Sequence, residues 1–186
     1  MENIHIQNMV FNEDKNIISS WDEKYVESPE YEQIFKFILE YGLIHGLDEL
    51  IETNYERIPI GNNEVKKALT FKNDNGEILG FMIYQIHDIK QNPSMFLQYF
   101  VINPEYQHQG YGKEILRQIF SEPKKYLGYK PNDVFCYIDN ENFASQGLFM
   151  RFGLGLKTQK DSTLFKGSAD MPAIEAAMQS GAMGSD

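Results

Sequence analysis

Polar and apolar positions along the chain follow two periods, and the switches between them outline the elements. Ile4-His5-Ile6-Gln7-Asn8-Met9-Val10 alternates as a strand does, and Asn12-Glu13-Asp14 offers a turn or helix cap before Ile17, Ile18 and Trp21. Ser28-Pro29-Glu30 sets a capping serine ahead of a proline suited to the first helical turn, and Ile34, Phe35, Ile38, Tyr41, Leu47, Leu50 and Ile51 then recur at helical spacing. Gly42 and Gly46 weaken that run, so one long helix or two with a bend are both open. The period returns to strand in residues 68–72 and 78–86, and Asn73-Asp74-Asn75-Gly76 between them signals a hairpin. A further strand, residues 95–102, stops at Asn103-Pro104, because proline has no N–H to give to a central ladder. Residues 113–120 read as helix, 133–139 as strand, 143–152 as helix capped by Asn142 and closed by Gly153, and 156–165 as a last strand or hairpin.

A chain of 186 residues suits one substantial core. Its 42% hydrophobic and 13% aromatic content, spread along the length, argues for a globular protein. Residues 168–186 shift to small side chains without aromatics, so the expected domain is 1–167 and the remainder a flexible C-terminal tail or expression remnant, with one short helix at most over 172–179. No apolar run reaches the length of a membrane span and the first residues lack signal-peptide character, which points to a cytoplasmic protein with no membrane partner. The net charge of -10 opposes binding to nucleic acid and suits a cationic partner. One cysteine, Cys136, rules out a disulfide framework and a thiol-rich zinc site, and no metal is expected; its apolar neighbours make it a core thiol.

The most informative stretch is Gln107-His108-Gln109-Gly110-Tyr111-Gly112, lying between an expected strand and an expected helix. Glycines allow a tight turn and close backbone approach, and the start of the helix offers N–H groups and positive dipole to an anion. The spacing fits neither a dinucleotide fold nor a P-loop. VINPEYQHQGYGKEIL resembles the cofactor loop of the GNAT N-acetyltransferase superfamily, with Gln107, Gly110 and Gly112 at the motif positions, and NFASQGLFMRFG (142–153) is similar to that family's N-x-x-A/S…LYxxxGF segment. The fold this resemblance implies is α+β: a central, largely antiparallel sheet with one splayed parallel pair of strands and helices on both faces. The implied function is transfer of an acetyl group from acetyl-coenzyme A to a primary amine of a small cationic molecule or a protein, by direct attack. The alternative is a catalytically weak or silent acyl-coenzyme A sensor.

On that resemblance the backbone of Phe100, Val101 and Ile102 pairs with the pantetheine arm, and Gln107, His108, Gln109, Gly110, Tyr111, Gly112 and Lys113 surround the pyrophosphate. Asn142, Ser145 and Phe149 complete the cofactor side. Phe149 departs from the pattern, because a tyrosine there usually protonates the departing thiolate and phenylalanine has no proton to give. Tyr137 and Tyr111 are possible replacements. An alkyl ammonium of pKa about 10.4 is neutral at pH 7 only about once in 2,500 molecules, so a base is also needed, and His87, Asp88, Glu105 and Asp139 remain as candidates. Trp21, Glu23 and Tyr25 lie where the family often builds its acceptor pocket, and aromatic rings with an acid suit a cation. Monomer and homodimer both stay open.

Overall fold

A computed structural model describes residues 1–9, 58–61 and 63–181. The helical pattern of residues 28–51 and the candidates Trp21, Glu23 and Tyr25 lie outside the described residues. Within them, eight strands form one sheet: β1 (His5–Asn8), β2 (Ile58–Gly61), β3 (Glu64–Lys72), β4 (Ile78–His87), β5 (Ser94–Ile102), β6 (Asp133–Asp139), β7 (Gly155–Thr158) and β8 (Leu164–Asp170). Both β1 and β2 pair with the outer edge of β3, and the order continues β3-β4-β5-β6-β8-β7. All pairings are antiparallel except β5 with β6. Two helices, α1 (Tyr111–Ser121) and α2 (Pro123–Leu127), make the crossover between those parallel strands; α3 (Phe143–Arg151) follows β6 and α4 (Met171–Gln179) follows β8.

The expected hairpin forms between β3 and β4, where the Asn73 side-chain oxygen accepts the N–H groups of Asn75 and Glu77 at 3.0 and 2.9 Å. Residues 64–67 also belong to β3, although Lys66 and Lys67 interrupt the apolar alternation there. Alternate sheet residues Leu69, Phe71, Met82, Tyr84, Ile86, Met95, Leu97, Val134 and Cys136 share one buried cluster with Ile115, Ile119 and Phe120 of α1, Leu127 of α2, Phe149 of α3 and Ile174 of α4. The four described helices therefore cover one sheet face, each fully buried Leu, Ile or Phe contributing roughly 1.5–3 kcal/mol.

The chain beyond residue 167 is not a tail as far as residue 179. Strand β8 runs on to Asp170, wedged between β6 and β7, and α4 follows at once. Asp170 caps α4 by accepting the Ala173 N–H at 2.8 Å, and Met171 and Ile174 are 2% and 0% exposed. Gly167, just before the expected tail, answers a packing need: a side chain there would start 3.1 Å from Leu156 Cδ2 and 3.3 Å from Cys136 Sγ. Only residues 182–186 of the expected tail lie outside the described residues.

The candidate site arises where the sheet stops being continuous. β5 and β6 pair through three rungs only, Ser94 with Asp133, Met95 with Val134 and Phe96 with Phe135. Just beyond, the β4–β5 register shifts, Ile83 facing Tyr99 and Tyr84 facing Leu97, which leaves Gln98 as an extra residue. A bulge bends its strand and re-aims it. β5 then continues to Ile102 and β6 to Asp139 with no rung between them.

Candidate active site

At the open end of this fork, Pro104–Tyr106 forms one 3-10 turn opened by Asn103, whose side chain accepts the Glu105 N–H at 3.1 Å and donates to the Ile78 carbonyl at 2.9 Å. The Tyr106 hydroxyl donates to Glu77 at 2.7 Å, tying the loop to the β3–β4 hairpin. That bond, first among its causes, pushes the Tyr106 hydroxyl up to about 12; the same bond leads in holding the Glu77 carboxyl below its usual value. Gln107 does not point outward: its amide donates to the Ile102 carbonyl at 3.0 Å, and that of Gln109 donates to the Glu105 carbonyl at 2.9 Å. Their side chains shape the loop from within.

Gly110 has φ +85° and stands at the N-cap of α1 with no side-chain capping bond. That left-handed conformation favours glycine. The first intrahelical bond is from the Glu114 N–H to the Gly110 carbonyl at 3.1 Å, so the N–H groups of Tyr111 and Gly112 precede the helical ladder. Uncapped N–H groups at a positive dipole end suit a phosphate. Gly112 is less demanding, because a Cβ would lie 3.5–3.6 Å from Leu148, Ile102 and Phe100, at ordinary contact distance. His108, also at positive φ (59°), is exposed.

On the other arm, α3 starts directly beyond β6. The Asn142 side-chain oxygen caps it by accepting the Ser145 N–H at 3.1 Å, and among the described residues its amide nitrogen has no protein partner. Capping and donation to a ligand are compatible in this residue, since they use different atoms. Phe149 is 4% exposed and sits edge-on to Phe100, with ring centres 6.2 Å apart, between α3 and the stretch of β5 beyond its rungs with β6.

The sequence matches the acetyltransferase (GNAT) family over residues 30–154. The chain belongs to that family. Similar solved structures include the PaiA N-acetyltransferase of Thermoplasma acidophilum in complex with coenzyme A, at 18% identity and TM-score 0.59, covering 90% of this chain and 99% of that one. Campylobacter jejuni N-acetyltransferase PseH gives 15% identity and TM-score 0.55 over 90% of this chain and 97% of the other. Spermidine N-acetyltransferase from Vibrio cholerae, in complex with coenzyme A and spermine, gives 10% and 0.53 over 92% and 98%. At such identities the likeness is one of fold. A search of curated proteins finds no match.

GNAT enzymes use acetyl-coenzyme A, which supplies an activated acetyl thioester, and this chain fits it at three points: the uncapped start of α1, the stretch of β5 that has no rung with β6 and the Asn142 amide. Two of the basic residues after the loop pair with carboxylates. Arg117 holds Glu114 with contacts of 2.5 and 2.8 Å, which keeps that carboxyl below its usual range, and Lys125 pairs with Glu122 at 3.2 Å. Of Lys113, Arg117, Lys124 and Lys125, which follow the loop, only Lys113 lies in the first turn of α1.

The remaining candidates separate by position. Glu105 stands in the 3-10 turn, seven residues along the chain from Gln98, at the open end of the fork. Tyr111 is 8% exposed and packs edge-on to Tyr106 at 5.6 Å, which makes it part of the loop's support. Tyr137 stands on β6 two residues past the last rung, 45% exposed, edge-on to both Phe96 and Phe135 at 5.9 and 6.3 Å. The Phe96 and Phe135 rings stack in parallel at 5.0 Å and close the fork. Cys136 faces the other side, buried, with its thiol pushed up to about 12 by that burial. Asp139 accepts the Glu141 N–H at 2.8 Å in the turn after β6. His87 ends β4 and bonds to Glu64 at 2.9 Å, a partner sequence reasoning missed.

No helix among the described residues is long and apolar enough to cross a membrane, and none of their His, Cys, Asp and Glu side chains cluster as metal ligands.

Proposed function

We propose that this GNAT acetyltransferase moves the acetyl group of acetyl-coenzyme A to a primary amine, on a small cationic molecule or a protein, by direct attack of the amine on the thioester. The observation that carries the reading is the fork: a parallel pair that parts after Phe96 and Phe135, with an uncapped helix start on Gly110 at its mouth. In this reading Phe100, Val101 and Ile102 meet the pantetheine arm through their backbone, residues 107–113 meet the pyrophosphate, and Asn142 and Ser145 border the arm from α3. Phe149 packs beside it as an apolar wall. Tyr137, exposed at the root of the fork, is the hydroxyl assigned to protonate the departing thiolate.

Direct attack is favoured over a covalent relay because the one cysteine is buried and poorly ionised, and the thiolate is the nucleophilic form. A cationic acceptor is favoured by the charge of -10, and the spermine bound by the Vibrio cholerae enzyme is such a molecule. The sheet, β8 and α4 included, acts as one domain, in the cytoplasm. The specific observation for a sensor in place of an enzyme is Phe149 at the position of the usual acid.

Calorimetry with coenzyme A, followed by thiol release from acetyl-coenzyme A over a panel of amines, tests the reading. Binding with turnover on cationic amines is the expected result. Binding without turnover on any amine would favour the sensor, and failure to bind coenzyme A would overturn both.

A further inference from the structure

His87 and Glu64 form a pair at the closed end of the fork. His87 faces Ser94 across the β4–β5 ladder, two residues and about 7 Å from the rung at which β5 and β6 part. Its Nδ1 lies 2.9 Å from Glu64 Oε1, at the start of β3. Its Nε2 is buried and has no hydrogen-bond partner among the described residues. The ring also sits 6.5 Å from Phe135, the last β6 residue bonded to β5.

Buried polar atoms without partners are uncommon and call for a reason. Here the neighbouring bond supplies one. A carboxylate on Nδ1 fixes the tautomer with its proton there, which leaves the Nε2 lone pair to accept a proton. The other charged groups facing this end of the sheet from described elements have work of their own. Asp88 accepts from Asn63 at 2.8 Å, Asp133 accepts from the Ser94 hydroxyl at 2.9 Å, Lys166 lies over the Phe135 ring at 4.9 Å, and Lys66, one pair along β3 from Glu64, has its own partner.

We propose that His87 is the base that takes the proton of the acceptor ammonium, and that Glu64 is the positioning residue that keeps Nε2 unprotonated for it. The proposal rests on the transferase reading above. Nε2 takes one proton from the ammonium, directly or through one water. The amine lone pair then forms the bond to the thioester carbonyl carbon, and the carbon–sulfur bond breaks with its electron pair going to sulfur. Tyr137 gives its hydroxyl proton to sulfur and takes the nitrogen's second proton in return, and His87 releases its own to solvent, giving an acetamide and a free thiol.

The test joins a readout independent of turnover to one that depends on the acceptor. In 15N-histidine NMR of the native protein, with the signal assigned by its loss in His87→Gln, the expected tautomer carries hydrogen on Nδ1. Glu64→Gln should shift that balance toward Nε2–H. In thiol-release assays His87→Gln should lower kcat/KM for an alkylamine by about 10²-fold or more, and leave a weakly basic hydrazide, already neutral, within about threefold. Glu64→Gln should show the same acceptor-dependent pattern with a smaller loss. A native Nε2–H tautomer, or equal losses on both acceptors with coenzyme A affinity intact, would overturn the base while the transferase stands. Absence of turnover by the native protein on every amine would sink the transferase reading and the base with it.

Discussion

Replacing Ile174 with alanine asks whether α4 belongs to the fold, and the structure sets the size of the answer. Ile174 is 0% exposed and lies in the cluster that also holds Phe120, Leu127 and Phe152. Large-to-small changes of an isoleucine in such a place cost about 2–5 kcal/mol, the spread reflecting how far the neighbours collapse into the cavity. For a chain of this size each kcal/mol lowers the melting temperature by about 2–4 °C, so Ile174→Ala should lower it by about 4–20 °C. Ala176→Ser, at an exposed position on the same helix, is the control and should shift it by less than about 2 °C. A chain ending at Gly167 should fare worse. It loses α4 and also Ser168, Ala169 and Asp170, which pair with Phe135, Val134 and Asp133. Those three β6 residues are the ones that pair with β5, so the root of the fork loses support on its far side. Scanning calorimetry with and without coenzyme A measures both consequences. If Ile174→Ala melts with the native protein, or the shortened chain keeps its melting temperature and cofactor affinity, α4 and the end of β8 are not docked as described.

Gly110→Val should weaken coenzyme A binding at least tenfold by calorimetry, since a left-handed backbone costs an L-residue about 1–2 kcal/mol and a β-branched one more, while Gly112→Ala should bind within about twofold. Equal damage from the two would contradict the assigned loop geometry. Cys136 should resist a thiol reagent at pH 8 in the native state and react fully in denaturant, and Cys136→Ala should keep its turnover with amines; rapid native labelling would refute its burial. The Tyr106–Glu77 bond carries two opposite pH limits. Glu77 is held below its usual value, so its stabilisation is present at neutral pH and lost as pH falls through the depressed folded value; Tyr106 is raised from 10.0 to about 12, so its share is present below pH 10 and lost as pH rises toward 12. Tyr106→Phe should flatten both limbs of a plot of melting temperature against pH, and parallel curves for the two proteins would count against the bond.

What the sequence disclosed and what it hid divide by the range of the interaction that decides each element. The β3–β4 turn and the left-handed residue Gly153 that closes α3 are settled by residues within a few places of one another, and both were legible. So was the Asn142 cap. The end of β8 was not, because Ser168, Ala169 and Asp170 are small or polar and owe their strand conformation to β6 and, for Ser168, to β7 as well, neither of which local propensity can see. Glu64 was hidden for a similar reason: its partner lies 23 residues away, and Lys66 and Lys67 blur the pattern that would have extended β3 back to it.

The same contrast of range organises the site along β5. At its C-terminal end the proposed cofactor contacts are made by the backbone of residues 107–113, a continuous segment that a short motif can mark. At its N-terminal end side chains from β3, β4, β5 and β6 converge, namely Glu64, His87, Phe96 and Phe135, and no segment of the chain contains more than one of them. Eight residue steps, about 26 Å of extended chain, separate Ser94 from Ile102. Changes at one end should therefore alter cofactor affinity and leave the preference among amines intact, and changes at the other should do the reverse. A Gly110 variant whose amine preference changed as much as its cofactor affinity would mean that the two ends are not separate, and that the strand transmits the disturbance through the bulge at Gln98.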